Sequence, residues 1–298
     1  MNLLITGAWK YTPEQLETIK AMGHTVFVLQ NEQDALPIPY EKVEGVICNG
    51  LFLHHKIQRF TTLRYIQLTS AGLDRVPLDD IRARGIALHN AQGVYSIPMA
   101  EFVLAGVLQI YKQGRFFADN QKQHAWRKHK NLLELYGKRV CVVGCGAVGT
   151  ECARRFAAFG CRVIGLNRSR REDDAFDLVL PLDALADTVV QADIVVIAAA
   201  LTEQTRHLIN KEIFDAMKPG CVLVNVARGA IVDTTAMLAA LEQKKLFAVL
   251  DVFEDEPLDP DSPLWDMENV ILTPHNSFAG DGNADRLFAL IQRNLQDA

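Results

Sequence analysis

The sequence predicts an α/β protein of two domains, each built on a parallel sheet. Short, continuously apolar runs alternate with amphipathic, turn-punctuated stretches, which is the rhythm of βα units. That alternation pauses near residue 97 and restarts at Arg139. A chain of 298 residues has interior enough for two cores of ordinary size.

The first domain, expected over residues 1–97, reads as strands at NLLIT, TVFVLQ, GVICN, RYIQLTS and IALHN. Between the first two, Thr12-Pro13-Glu14 supplies an N-cap, a first-turn proline and an acid near the positive helix end, and Gly23 stops the helix. From Pro98 to Tyr111 the run MAEFVLAGVLQIY is apolar on nearly every side, as in a helix covered all round by its own domains or by a second subunit.

The second domain, expected over 98–278, continues with RVCVVG, a helix from Val148 to Phe159, then CRVIGLN, ADIVVIAA, CVLVNVA, FAVLDV and VILT. Continuous apolarity fits strands covered on both faces of a parallel sheet. A last helix is expected near Ala284 to Leu295, and residues 279–298 are assigned back toward the first domain.

Composition excludes several classes. With 49% hydrophobic and 22% charged residues the chain is globular, and a net charge of −5 gives no general attraction to nucleic acid or anionic lipid. No run reaches the ~18 apolar residues that span a bilayer. The six cysteines lack the paired spacing of a zinc site or a small disulfide scaffold, so no metal is expected and a reducing cytoplasm fits best.

Chemistry enters at Gly144-Cys145-Gly146-Ala147-Val148-Gly149, a GxGxxG after an apolar strand and at the mouth of a helix. Gly144 permits the tight turn, Gly146 lets backbone approach a pyrophosphate, and Gly149 allows close helix packing. The helix start at Ala147 and Val148 offers N–H groups to the anion. This predicts a Rossmann dinucleotide site. The next strand ends at Asn167, where an NAD site commonly carries Asp or Glu for the adenosine ribose. Here the chain reads Asn167-Arg168-Ser169-Arg170, donors suited to a 2′-phosphate, so NADP(H) is the expected cofactor with NAD(H) also possible. A solvated basic turn balanced by Glu172, Asp173 and Asp174 is the bland alternative.

Three more stretches, VNVARGAIVD, VLDVFEDEPL and ILTPHNSF, lie at strand carboxyl ends. With the glycine motif, SAGLD at Ser70 to Asp74, Glu134 to Lys138 and LTEQTRHLIN at 201–210, they resemble the D-isomer-specific 2-hydroxyacid dehydrogenase family over nearly the whole chain. The resemblance implies a flavodoxin-like substrate domain beside the Rossmann domain, and reduction of a 2-oxo acid to the D-2-hydroxy acid.

It also implies roles. Arg228 binds the substrate carboxylate and polarises the 2-oxo group, for which a permanently charged, planar guanidinium is suited. His275 protonates the carbonyl oxygen, a task near the ordinary imidazole pKa. Glu256 orients that imidazole and favours its protonated form, although the residues alone do not choose among Glu254, Asp255 and Glu256. Backbone N–H groups at Ala71 and Gly72 hold the substrate carboxylate, Asp251 accepts from the nicotinamide carboxamide, and Val226 and Ala227 border the same ring. Asn49, Gly50, Leu51, Phe52 and Tyr95 wall the substrate's side chain. A homodimer through the helix after Pro98 follows the family.

Each residue alone has an ordinary reading: a salt-bridging Arg228, a solvated acidic turn at EDEP, a loop histidine at 275. Their order along the chain favours the enzyme. Two rivals stand beside it. One is another substrate of the family used with NAD, against which Glu256 argues for formate, where the family has an amide. The other is a silent NAD(P)-binding sensor, which would not need Arg228, Glu256 and His275. Departures from the family are Ala198-Ala199-Ala200-Leu201-Thr202, where His-x-Pro-Leu-Thr is frequent, and Asn276-Ser277-Phe278 after the histidine.

Overall fold

The computed structural model describes residues 1–168, 173–243 and 245–296. The chain divides into two compact units, Met1–Tyr95 with Gly280–Ala298, and Ser96–Ala279. No helix among the described residues is long and apolar enough to cross a membrane.

The first unit contains strands β1 (Asn2–Thr6), β2 (Thr25–Leu29), β3 (Gly45–Cys48), β4 (Tyr65–Leu68) and β5 (Ala87–His89), all parallel in the order β2-β1-β3-β4-β5. This is the flavodoxin-like order, whose reversal between β1 and β3 opens the sheet at its carboxyl edge. Both sheet faces are covered, so β3 and β4 are buried at every residue. One face packs on Phe60, Leu51 and Ile81, the other on Trp9, Ile19 and the final helix Asn283–Gln296 through Leu287, Ile291 and Leu295. The helix Pro13–Ala21 starts as its residues predict, with Thr12 capping Gln15 and Gln15 returning to the Thr12 N–H. It stops at Gly23, whose φ of 89° is the left-handed conformation a helix end requires.

At the β1/β3 reversal the Glu32 carboxylate accepts from the Thr6 hydroxyl at 2.7 Å and from the Asn49 and Gly50 N–H groups at 2.7 and 2.6 Å. This half-buried side chain thus fixes the turn after β3. Leu51 in that turn is fully buried and Phe52 packs edge-on against Phe60. This corrects the reading of Leu51 as a substrate wall: it belongs to the core of the first unit, where its side chain closes the layer beneath the sheet.

The second unit holds β6 (Arg139–Val143), β7 (Arg162–Asn167), β8 (Leu178–Pro181), β9 (Ile194–Ile197), β10 (Val222–Asn225), β11 (Phe247–Leu250) and β12 (Val270–Leu272). They form one parallel sheet ordered β12-β11-β10-β9-β6-β7-β8. Renumbered from β6 this is the Rossmann order with one further edge strand. β8 is absent from the sequence-based expectation, since it is an edge strand with Leu178 exposed and a proline at its end.

The helix Ser96–Tyr111 is not covered all round within its unit. Ala100, Val103, Val107 and Ile110 enter the core, and Gly106 lies so close to Val249 that an added Cβ would sit 2.7 Å from it. Glu101, Ala105 and Gln109 on the other side are exposed. All six cysteines are free and buried. Burial pushes the Cys152 and Cys221 thiols up to about 12, which leaves them as packing groups.

Candidate active site

The glycine turn after β6 is built as its spacing requires. Gly144 has φ 99°, and a Cβ there would come within 2.5 Å of the Ala199 nitrogen. A Cβ on Gly149 would lie 1.9 Å from the Gly144 carbonyl oxygen, so only glycine lets the helix Ala147–Ala158 start this close to the strand. Gly146 is different: it is exposed, and a Cβ there would meet nothing within 4 Å. The open side of the turn therefore lies at Gly146, and no side chain caps the helix that starts beside it. Free helical N–H groups beside an open glycine are what a pyrophosphate needs. The residues present fit a dinucleotide.

Asn167 closes β7 half-buried and Arg168 follows it exposed. Ser169 and Arg170, the other two donors of the basic turn, lie outside the described residues. Val226 and Ala227, beyond β10, are buried. The backbone of Ala198 and Ala199 lines the turn at Gly144.

After β10 the chain turns at Ala227-Arg228-Gly229. The buried Asn225 organises that turn, donating to the Arg228 carbonyl at 3.0 Å and accepting from the Ala227 N–H at 3.1 Å. Arg228 is half-buried and Nη1 donates to the Ala227 carbonyl at 2.7 Å. Gly229 packs flat on the next strand's loop, where a Cβ would fall 1.9 Å from the Phe253 carbonyl carbon.

His275 and Glu256 come together across 19 residues of sequence, Nδ1 to Oε2 at 2.8 Å. The other Glu256 oxygen accepts from the Phe253 N–H at 3.0 Å, which fixes the carboxylate in the turn. Since a carboxylate only accepts, Nδ1 carries a proton in this contact, and Nε2 takes no part in it. The imidazole is 42% exposed at its side chain, with the Phe278 ring edge-on at 6.4 Å.

Asp251 is fully buried, and the Thr273 hydroxyl (2.6 Å), the Asn276 N–H (2.8 Å) and the Ser277 N–H (2.9 Å) all donate to its carboxylate. Its observed work is to hold the histidine turn onto β11. This segment, Asn276-Ser277, departs from the family pattern yet contributes through backbone.

Within the first unit, Ala71 is exposed and Gly72 half-buried. Their carbonyls are used, by Asn90 Nδ2 at 2.7 Å and by Ser70 Oγ at 3.1 Å, while their N–H groups have no acceptor among the described residues. The Tyr95 hydroxyl donates to the Thr69 carbonyl, so it braces the strand end that carries Ala71. Burial pushes that phenol up, keeping it a neutral donor. Asn225 and Glu32 are the organising residues that sequence reasoning missed. Polar residues at strand ends are common, and only their long-range partners mark these two.

Residues 104–277 match the family model described as D-isomer specific 2-hydroxyacid dehydrogenase, NAD binding domain. A glyoxylate reductase of Korarchaeum cryptofilum is 33% identical over 239 residues, covering 78% of this chain and 72% of that protein. A crystal structure of a D-isomer specific 2-hydroxyacid dehydrogenase family protein from Aeromonas salmonicida superposes with a TM-score of 0.85 at 32% identity, covering 98% of this chain and 94% of that one. Another, a D-isomer specific 2-hydroxyacid dehydrogenase from Xanthobacter autotrophicus Py2 in complex with NADPH and MES, gives 0.80 at 27% identity over 99% and 95% of the chains.

Proposed function

Because the chain belongs to the D-isomer-specific 2-hydroxyacid dehydrogenase family, and is thus an NAD(P)-dependent oxidoreductase, we propose that it reduces a small 2-oxo acid to the D-2-hydroxy acid with NADPH preferred over NADH. The reverse oxidation follows by microscopic reversibility. The observation that carries this reading is the 2.8 Å pair of His275 Nδ1 and Glu256 Oε2, which occupies Nδ1 and leaves Nε2 as the nitrogen that gives up a proton when the imidazole is charged.

The residues that would hold the cofactor are Gly144, Gly146, Ala147, Val148 and Gly149 at the pyrophosphate, Asn167 and Arg168 with Ser169 and Arg170 at the adenosine end, and Val226, Ala227 and Asp251 near the nicotinamide. When bound, the nicotinamide supplies the hydride for substrate C2. Arg228 binds the carboxylate of the 2-oxo acid and stabilises charge growing on the carbonyl oxygen. His275 delivers its Nε2 proton to that oxygen, and Glu256 holds the ring and balances its charge while the proton is present. The unused N–H groups of Ala71 and Gly72 take a substrate carboxylate oxygen, and Tyr95 keeps their strand end in place.

The NADPH preference rests on a basic turn where NAD sites commonly carry an acid, and is supported by the NADPH complex of the Xanthobacter relative. The buried, reduced cysteines support a cytoplasmic setting. A homodimer is supported by the exposed side of the helix Ser96–Tyr111 and by Trp126, 96% exposed in the segment beyond it. Sedimentation equilibrium reads the dimer directly. A spectrophotometric screen of glyoxylate, hydroxypyruvate, pyruvate and branched 2-oxo acids, with NADPH and NADH in parallel, tests the reaction and cofactor together. Oxidation of neither cofactor by any acid would refute the reductase and favour a sensor.

A further inference from the structure

Beside the His275 and Glu256 pair stands a second one of the same kind. His207 Nε2 meets Glu254 Oε1 at 2.6 Å, and the Thr234 hydroxyl donates to Glu254 Oε2. Both glutamates lie on one short turn, two residues apart. Both histidines have left-handed backbones, φ 49° at His207 and 50° at His275, in a set of only four such non-glycine residues among those described. Left-handed backbone is unfavourable for histidine and persists where surroundings impose it.

The surroundings of His207 are the turns of the proposed active site. Its N–H donates to the Ala230 carbonyl at 2.9 Å, and Ile209 pairs with Val232 and bonds to Ile231. The segment is therefore stitched to the chain that leaves Arg228. Its imidazole then reaches across to Glu254, on the loop that Gly229 touches with no room for a Cβ. Thr234, at the start of the helix Thr234–Glu242, grips the same carboxylate from a second direction. Glu254 is thus a fixed point for the turn carrying Glu256, whose own carboxylate accepts from the Phe253 N–H and meets His275.

We propose that His207 and Glu254, with Thr234, form a positioning clamp that registers the Arg228 turn against the Glu256 turn and so sets the Glu256 carboxylate on His275. This rests on the functional reading above. His207 touches neither substrate nor cofactor in it; it acts through Glu254. The clamp's requirement is a hydrogen-bond donor at the end of the residue 207 side chain, so glutamine replaces histidine and alanine does not.

The test uses the full-length protein as wild type, His207→Ala and His207→Gln, with the 2-oxo acid that the wild type reduces best. Both variants keep a side chain on the left-handed backbone, so backbone strain is common to them. The expected result for His207→Ala is a kcat lowered at least about tenfold by misplacement of the acid, with KM and NADPH affinity within about twofold. In the apoprotein, hydrogen–deuterium exchange of peptides spanning 253–258 rises. His207→Gln restores both. Wild-type kcat in His207→Ala, or a loss that appears mainly in KM, or exchange unchanged at 253–258, or failure of His207→Gln to restore, overturns the clamp. A wild type that reduces no acid refutes the functional reading instead, and the exchange experiment then still decides whether the clamp holds the turn.

Discussion

Asp251, itself fully buried, accepts a 2.6 Å hydrogen bond from the half-buried Thr273 hydroxyl, and the Asn276 and Ser277 N–H groups converge on the same carboxylate. The turn that presents His275 is therefore hung from the end of β11. Asp251→Ala strands these donors, at about 1–3 kcal/mol for each that finds no new partner. Thermal unfolding and turnover should both fall, with kcat losing more than NADPH affinity; an unchanged melting temperature would contradict the tether.

His275→Asn should lower kcat by about 10²–10⁴, the range of a lost general acid, while NADPH binding followed by fluorescence stays intact. Asparagine adopts left-handed backbone readily, so the φ of 50° is no obstacle to folding. Unchanged turnover would remove His275 as proton donor.

Gly146 and Gly149 separate folding from cofactor binding. Gly149→Ala places a methyl 1.9 Å from the Gly144 oxygen and should destabilise by about 2 kcal/mol or more. Gly146→Ala meets nothing, so its melting temperature should stay near wild type while NADPH affinity falls. Calorimetry and binding titration of the two variants read these effects apart.

Arg168→Ala should weaken NADPH by about ten- to a hundredfold, the value of one charge-assisted hydrogen bond to phosphate, and adding Arg170→Ala should weaken it further. NADH affinity should change little. Equal losses for both cofactors would discredit the 2′-phosphate reading.

Stability should drop on the acid side through Asp193 and Glu254. Burial works against each charge, but the Arg139 N–H with Lys218 and Lys138 at Asp193, and Thr234 with His207 at Glu254, outweigh it, leaving both below their ordinary values of 3.8 and 4.5. A lowered folded value means stability that is full above the ordinary value and lost as pH falls through the folded one. Urea midpoints should thus begin to fall below about pH 4.5, and Asp193→Asn should flatten part of that dependence. A midpoint independent of pH between 5 and 3 would count against both pairs.

The sheets were legible because parallel strands covered on both faces are apolar throughout, so runs such as VCVV and IVVI announce themselves. β8 was not, being half-exposed and ending in proline. The family and the glycine turn could be read locally, since their geometry is made by residues a few positions apart. Asp251 could not. A lone acid after an apolar strand looks like a cap, and its partners lie 22 to 26 residues away. His207 carries no local mark either, for its partner is 47 residues distant. Leu51 misled for the opposite reason, as bulk beside a proposed site looks the same as bulk beneath it.

The final helix, Asn283–Gln296, inserts Leu287, Ile291 and Leu295 against Leu3, Ile5, Ile47 and Tyr65. One layer of the first unit is thus supplied nearly two hundred residues after its sheet has left the ribosome. At ~5–20 residues per second the five strands wait roughly ten to forty seconds for that layer. The second unit, Ser96–Ala279, is by contrast one continuous stretch of chain. Nascent chains should therefore mature in reverse of their order of synthesis, with the amino-terminal sheet a client for chaperones until that helix emerges.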